Sequence, residues 1–282
     1  MGALSGKVAI VTGGTSGIGE RIVEVFVEEG AQVVVAARRE AEGHALEKRL
    51  GVRFVRADVS SEVEIKALVD AAVGWFGRID CLVNNAAIPG PITPVAEIDA
   101  AIVDQILAVN VRGLMLTTKH VAPVMLSQGA GSIINIGSIA AHRGGISGHI
   151  YTTSKGAVLA FTRSTAAELG EKGIRVNSIS PGAIVTGIFG KLAGVEASKA
   201  DKMSDLVKER FATLQPIPRA GATDDIARAA AFLASDGSSF VNGQDITIDG
   251  GMTSVTAGWS KMVVGRGEMS RRLKEAAATL KG

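Results

Sequence analysis

The chain has 282 residues, 46% of them hydrophobic and 21% charged, with a formal net charge of +2. That length suits one large α/β domain with a sizeable core, and the near-neutral balance gives no electrostatic footprint for a nucleic-acid partner. One cysteine, Cys81, excludes an internal disulfide and a cysteine-based zinc site, and the histidines His44, His120, His142 and His149 lack metal-ligand spacing, so no metal is expected.

The opening MGALSGKVAIVTGG lacks the basic region and long apolar stretch of a signal peptide, and Gly6 stands where a myristoylation motif needs Ser or Thr. No apolar run approaches the ~18 residues of a membrane-spanning helix, so a cytoplasmic protein without a membrane partner is the expectation. KVAIVT (7–12) predicts a strand and GIGERIVEVFVEEG (17–30) a helix closed by Gly30. QVVVAA (32–37) predicts the second strand, 41–50 a helix, VRFVRAD (52–58) the third strand, and a helix follows to about Phe76. CLVNNA (81–86), SIINIGS (132–138), IRVNSIS (174–180) and DITIDG (245–250) continue the strands, with long helices over about 100–128 and 150–170. The runs are apolar almost throughout, as in strands covered on both faces. The alternation predicts an α/β protein with a Rossmann-type, doubly wound parallel sheet of about seven strands. No linker divides it: residues 1–252 read as one dinucleotide-binding domain and 253–282 as a C-terminal extension, part helical.

VTGGTSGIGE follows the first strand and opens the first helix. Gly13, Gly17 and Gly19, interleaved with Thr15, Ser16 and Ile18, let the backbone approach a pyrophosphate that helix N–H groups and the helix dipole then face. Glycines also make ordinary turns; the position between strand and helix is what favours a dinucleotide. The second strand ends VVVAARRE, with Ala37 where an acid would bind the adenosine ribose hydroxyls of NAD. Arg38 and Arg39 follow, and a guanidinium there pairs with a 2′-phosphate, so NADP is favoured over NAD. The plain alternative has both arginines opening an exposed helix.

TGGTSGIG (12–19), NNAA (84–87), Asn110 in AVNVRG, Ser138 in NIGSIAA, YTTSK (151–155) and PGAIVT (181–186) stand in the order seen in short-chain dehydrogenases/reductases. Together they resemble the short form of that family over roughly residues 5–252. The resemblance implies Tyr151 as general acid for ketone reduction and general base for alcohol oxidation, Ser138 as hydrogen-bond partner of the substrate oxygen, and Lys155 on the nicotinamide ribose. It further implies Asn110 holding a water in a proton relay, Asp58 and Val59 at the adenine, Asn84 and Ala86 beside the adenosine ribose, and Pro181, Gly182, Ile184 and Thr186 at the nicotinamide. The chemistry suits these residue types: hydride arriving at a carbonyl carbon puts charge on oxygen, where a hydrogen-bond donor and a proton source must meet. A free phenol, with a pKa of ~10, is a poor base near neutrality, and an ammonium one helical turn away favours its ionised form. Singly, Ser138 could end a strand, Asn110 a kinked helix, and Tyr151 fill a core.

Residues 139–150 bridge Ser138 and Tyr151, offering His142, Ile146 and His149 as substrate contacts. By the same resemblance 187–215 is a substrate lid, in which Ile188, Phe189, Leu192 and Met203 imply a hydrophobic, bulky ketone or secondary alcohol. Past DGGM, Met269, Leu273, Ala276, Ala277 and Leu280 share one helical face after Trp259 and Met262. Residues 261–282 are basic, holding Lys261, Arg266, Arg271, Arg272, Lys274 and Lys281 against Glu268 and Glu275. The tail is expected to pack across a subunit interface and help cover a neighbour's pocket, with docking on its own domain or a frayed end as alternatives. The resemblance implies a homotetramer or homodimer. An NAD-dependent dehydrogenase of a steroid, sugar or cyclic alcohol, and a dinucleotide-sensing module without catalysis, stay open as other readings.

Overall fold

A computed structural model describes residues 2–186, 204–255 and 258–279. Seven strands make one parallel sheet: β1 (Val8–Thr12), β2 (Gln32–Ala37), β3 (Arg53–Arg56), β4 (Cys81–Asn84), β5 (Gly131–Ile136), β6 (Ile174–Pro181) and β7 (Asp245–Ile248). Across the sheet they lie in the order β3-β2-β1-β4-β5-β6-β7. The chain winds outward from β1 to β3, then crosses back to place β4 on the free side of β1. A doubly wound sheet opens its ligand crevice at that reversal, beyond the carboxyl ends of the strands.

The helices are α1 (Gly17–Glu28), α2 (Glu40–Leu50), α3 (Glu62–Phe76), α4 (Ala100–Leu107), α5 (Leu114–Gln128), α6 (His149–Gly170), α7 (Ser204–Ala212), α8 (Thr223–Ala234) and α9 (Trp259–Thr279). Successive strand side chains go to opposite faces. Val11, Val35, Val83 and Ile134 pack with Phe26 of α1, Leu46 of α2 and Ile226 of α8, while Ile10, Val34, Leu82 and Ile133 pack with Leu68 of α3, Met125 of α5 and Leu169 of α6. Two cores on one sheet explain why the strands read as unbroken apolar runs.

Between α4 and α5 the helix continues through a π-helical turn, Ala108–Gly113. The whole stretch Ala100–Gln128 is long and apolar enough to cross a bilayer by length and composition, with a mean hydropathy of 1.3 over an 18-residue window. The sequence expectation differed because it counted unbroken apolar runs, and Asp104, Arg112 and Lys119 interrupt this one. In the fold its Thr117, Val121 and Met125 are buried.

Strands β4 and β5 stop short of their expected ends. The Asn85 and Ala86 N–H groups both turn to Thr12 Oγ1, at 3.1 Å, and the backbone leaves the sheet to line the crevice. Behind that exit a buried polar ladder crosses four elements. Asn84 Nδ2 donates to Thr118 Oγ1 (3.2 Å) and Asn135 Oδ1 (2.9 Å), and Asn135 Nδ2 donates to Thr162 Oγ1 (2.9 Å). Removing a partner there leaves a buried donor unmet. Asn135→Ala is therefore expected to cost about 1–3 kcal/mol, seen as a lower urea midpoint at unchanged slope. An unmoved midpoint would show that the ladder contributes nothing.

Candidate active site

The crevice is a cleft of about 860 Å³ along the carboxyl ends of the strands. That is room for a nucleotide with a small molecule beside it. Its floor at one end is the turn from β1 to α1. Gly13 and Gly17 adopt φ of +66° and +58°, which side-chain-bearing residues avoid. A Cβ on Gly13 would lie 2.9 Å from Ala86 Cα, and one on Gly19 would collide with the Gly13 carbonyl and the Asn85 amide. Asn85 Nδ2 braces the turn by donating to Thr12 O (3.0 Å) and Gly13 O (3.1 Å). With Thr15, Ser16, Gly17 and Ile18 lining the cleft, the start of α1 presents backbone N–H groups where a phosphate would lie.

Arg38, Arg39, Asp58, Val59 and Ala86 line the wall beyond β2 and β3. Arg39 is tied down: Nη2 donates to Thr15 O (2.9 Å) and Oγ1 (3.1 Å), and Nη1 to Glu42 (2.9 Å). Arg38 is freer, its side chain 62% exposed and Nη1 3.6 Å from Asp58. Burial works to raise the Asp58 carboxyl, but hydrogen bonds from Ser60 and the Arg38 charge outweigh it and hold the group below the usual carboxylate range.

At the other end β5 delivers Ser138 and α6 delivers Tyr151 and, one turn on, Lys155. Burial raises the Tyr151 phenol above its ordinary value, while the Ser138 hydroxyl, hydrogen-bonded to it, pulls the other way. Lys155 is buried, Nζ donating to Ile136 O at 2.7 Å and lying 5.6 Å from the Tyr151 ring centroid. Burial alone pushes its ammonium down to about 8. Pro181, Gly182, Ile184 and Thr186 complete this end, and Ile146 reaches it from the loop before α6. These residues fit a dinucleotide: close-approach glycines sit at one end and a buried cation whose recorded partner is a carbonyl at the other.

Five expected residues do not line the cleft. Gly19 lies beneath the glycine turn, wedged against Gly13 and Asn85. Asn84 is the last residue of β4, so its side chain enters the polar ladder, and the next residue, Asn85, faces the cleft instead. Asn110, on the π-turn, is 2% exposed and stands behind the wall. Its Oδ1 accepts from Ile88 N (2.8 Å), and Nδ2 donates to Ile88 O (3.0 Å) and Ser154 Oγ (3.1 Å). Ser154 Oγ in turn donates to Tyr151 O (2.7 Å), so Asn110 braces the turn that carries Tyr151. His142 is curled away by the 3₁₀ turn Ile139–Ala141, and its Nε2 meets Asp245 Oδ2 at 2.7 Å. His149 begins α6 and is exposed. Ile188, Phe189, Leu192 and Met203 fall outside the described residues. The sequence reading missed Ile88, Gly90 and Ile92 on the cleft wall, while Ser147 lies in the 139–150 segment expected there. The one signal for the missed three was position, a few residues beyond the end of β4.

A nucleotide-sized cleft at the switch of a doubly wound sheet, with a Ser–Tyr–Lys group at one end, defines a dinucleotide-dependent oxidoreductase. A family model described as Enoyl-(Acyl carrier protein) reductase matches residues 13–253. (+)-Borneol dehydrogenase 2 of Salvia officinalis is 41% identical over 262 residues, covering 89% of this chain and 90% of its own. Momilactone A synthase of Oryza sativa subsp. japonica is 41% identical over 260 residues, covering 90% and 92%. The crystal structure of levodione reductase matches with a TM-score of 0.80 at 33% identity, covering 90% of this chain and 100% of that one. The chain belongs to the short-chain dehydrogenase/reductase family, enzymes of alcohol and carbonyl redox chemistry that use a nicotinamide dinucleotide.

Gly19→Ala tests the cradle. The added methyl must displace the Gly13 carbonyl and the Asn85 amide, so dinucleotide affinity should fall at least ~tenfold, about 1.4 kcal/mol. Titration with NADPH and NADH, alongside a circular dichroism spectrum, reads it; unchanged affinity for both would mean that the turn absorbs the methyl without moving.

Proposed function

We propose that the protein transfers hydride between NADP(H) and a hydrophobic, bulky carbonyl or secondary alcohol, acting as a carbonyl reductase or alcohol dehydrogenase. The observation that carries the reading is the Ser138, Tyr151 and Lys155 group at an end of the cleft walled by Ile88, Ile92, Ile139 and Ile146. The nicotinamide supplies the hydride when bound. Ser138 holds the substrate oxygen by its hydroxyl, and Tyr151 donates the proton that neutralises that oxygen, or removes it in the oxidative direction. Lys155 supports the phenolate and grips the ribose, while Asn110 keeps the Tyr151 turn in place through Ser154. The apolar wall, and relatives whose names point to borneol and levodione, favour a cyclic ketone or alcohol.

NADP is favoured because Ala37 puts no carboxylate at the end of β2 and the Arg38 guanidinium stands at the cleft with its charge only loosely held. The Arg38–Asp58 contact supports NAD as the second reading, since it partly occupies that guanidinium. Half-buried apolar side chains on the outer side of α4 and α5, with Met115 and Leu126 exposed, favour a homodimer or homotetramer built on these helices.

Two experiments test the reading. Arg38→Asp combined with Arg39→Gln should weaken NADPH binding far more than NADH binding; equal losses would sink the NADP assignment. The second is a pH profile of both directions. A phenol raised by burial keeps its proton at neutral pH, so reduction should hold there and oxidation should climb as pH rises and the phenolate forms. Tyr151→Phe should lower both rates by about 10²–10⁴. Lys155→Met should move the oxidative rise to higher pH, because a phenolate and an ammonium this close hold one another charged and the variant has no ammonium. A rise that stays in place would remove Lys155 from the proton step.

A further inference from the structure

We propose that α9 of one copy of this chain docks on the acidic rim of the cleft in a second copy, over Ile92 to Asp104, and closes part of the substrate end. The proposal rests on the functional reading only in taking that end of the cleft as the substrate's.

Helix α9 has no covered face. Every described side chain from Trp259 to Ala277 is exposed except the half-buried Met262. Yet Trp259, Met262, Arg266, Met269, Leu273 and Ala276 follow in steps of three and four, a straight seam of the kind a helix buries along its length. Gly265 and Gly267 weaken the helix in its middle, and most helical stability in proteins comes from packing an apolar face rather than from propensity. Its order therefore calls for a surface. The helix also carries Lys261, Arg266, Arg271, Arg272 and Lys274 against two acids, so that surface is apolar with negative flanks.

The cleft rim has that character. From Ile79 to Val111 there is no Lys, Arg or His. Ile92 and Val95 are 81% and 70% exposed, and Glu97, Asp99 and Asp104 are exposed around them. The Asp99 carboxylate caps α4 through Ala101 N (2.7 Å). Ile92 itself lines the cleft, so whatever covers this rim also covers the opening. Among the described residues of one chain both surfaces are exposed at once. Two copies exchanging helices cover both reciprocally, each contact made twice about a two-fold axis.

The test is a cross-link made between different chains. Cys81 is buried and its thiol pushed up to about 12, so the native cysteine stays silent. Full-length Val95→Cys protein mixed with full-length Met269→Cys protein, under mild oxidation, should give a band at twice the chain mass that neither variant gives alone. A Val95→Cys/Met269→Cys double variant that links only within one chain would overturn the proposal in favour of docking on its own rim; absence of any link would overturn it outright. Independently, Arg266→Glu with Arg272→Glu should raise KM for a bulky cyclic ketone about threefold to tenfold, and adding Glu97→Lys with Asp104→Lys should restore it. No rescue would overturn the pairing. Absence of reductase activity with every carbonyl would instead count against the functional reading, while the cross-link stands on its own.

Discussion

Lys155 holds an ammonium inside the protein with the Ile136 carbonyl as its recorded partner. A drop from an ordinary 10.5 to about 8 corresponds to roughly 3 kcal/mol of penalty for carrying that charge in the fold. Below about pH 8 the group is charged folded and unfolded, and the fold bears the whole penalty. The penalty falls as pH rises from there towards 10.5, because the unfolded chain then binds more protons than the folded one. At neutral pH the protein thus keeps a strained charge in place. A group that accepts a hydrogen bond from that ammonium relieves the strain.

The arrangement needs rigid support, and the polar ladder behind the site supplies some of it. Asn84, Asn135, Thr118 and Thr162 cross-link β4 and β5 to α5 and α6. Helix α6 is the element that carries both Tyr151 and Lys155, so its placement on the sheet sets the distance between phenol, ammonium and the end of β5. The π-turn at Asn110 adds a second brace. It directs a buried amide at Ile88 on the cleft wall and, through Ser154, at the backbone of Tyr151. A π-turn within a long helix commonly marks a functional site, and here it aims one side chain at two walls.

Most of the sheet was legible because alternating βα units with apolar strands admit few topologies, and the seven strands fall where their runs predicted. One misplaced residue falls where a strand stops. On a strand, one residue's shift changes the face to which a side chain points. Asn84, the last residue of β4, turns inward and Asn85, the first beyond it, turns to the cleft, a distinction that NNAA alone does not carry. His142 fails differently. Nothing in IAAHRGG indicates that a single 3₁₀ turn carries the histidine round to Asp245, whose other oxygen accepts from Ser178 and Ser180. Contacts between residues this distant in sequence depend on tertiary packing, to which local pattern is blind. Helix α9 starts at Trp259, ten residues before the helical face that the sequence showed from Met269.

The two ends of the cleft differ in what holds them. The dinucleotide end is built from backbone: glycines at positive φ, helix N–H groups and the braced Thr12 to Gly13 carbonyls, all on rigid elements. Beyond Tyr151 the described wall comes from loops, the segments after β4 and β5, and from Ile146 on a connection anchored by His142 to β7 and by Arg143 to the carbonyl of Met252. That second anchor joins the substrate-side loop to the root of the C-terminal extension. Residue 252 is thereby tied to the loop that carries Ile146. Tyr151 and Lys155 stand on α6, packed against the sheet, whereas the wall beside them rests on loops, so the two have separate supports.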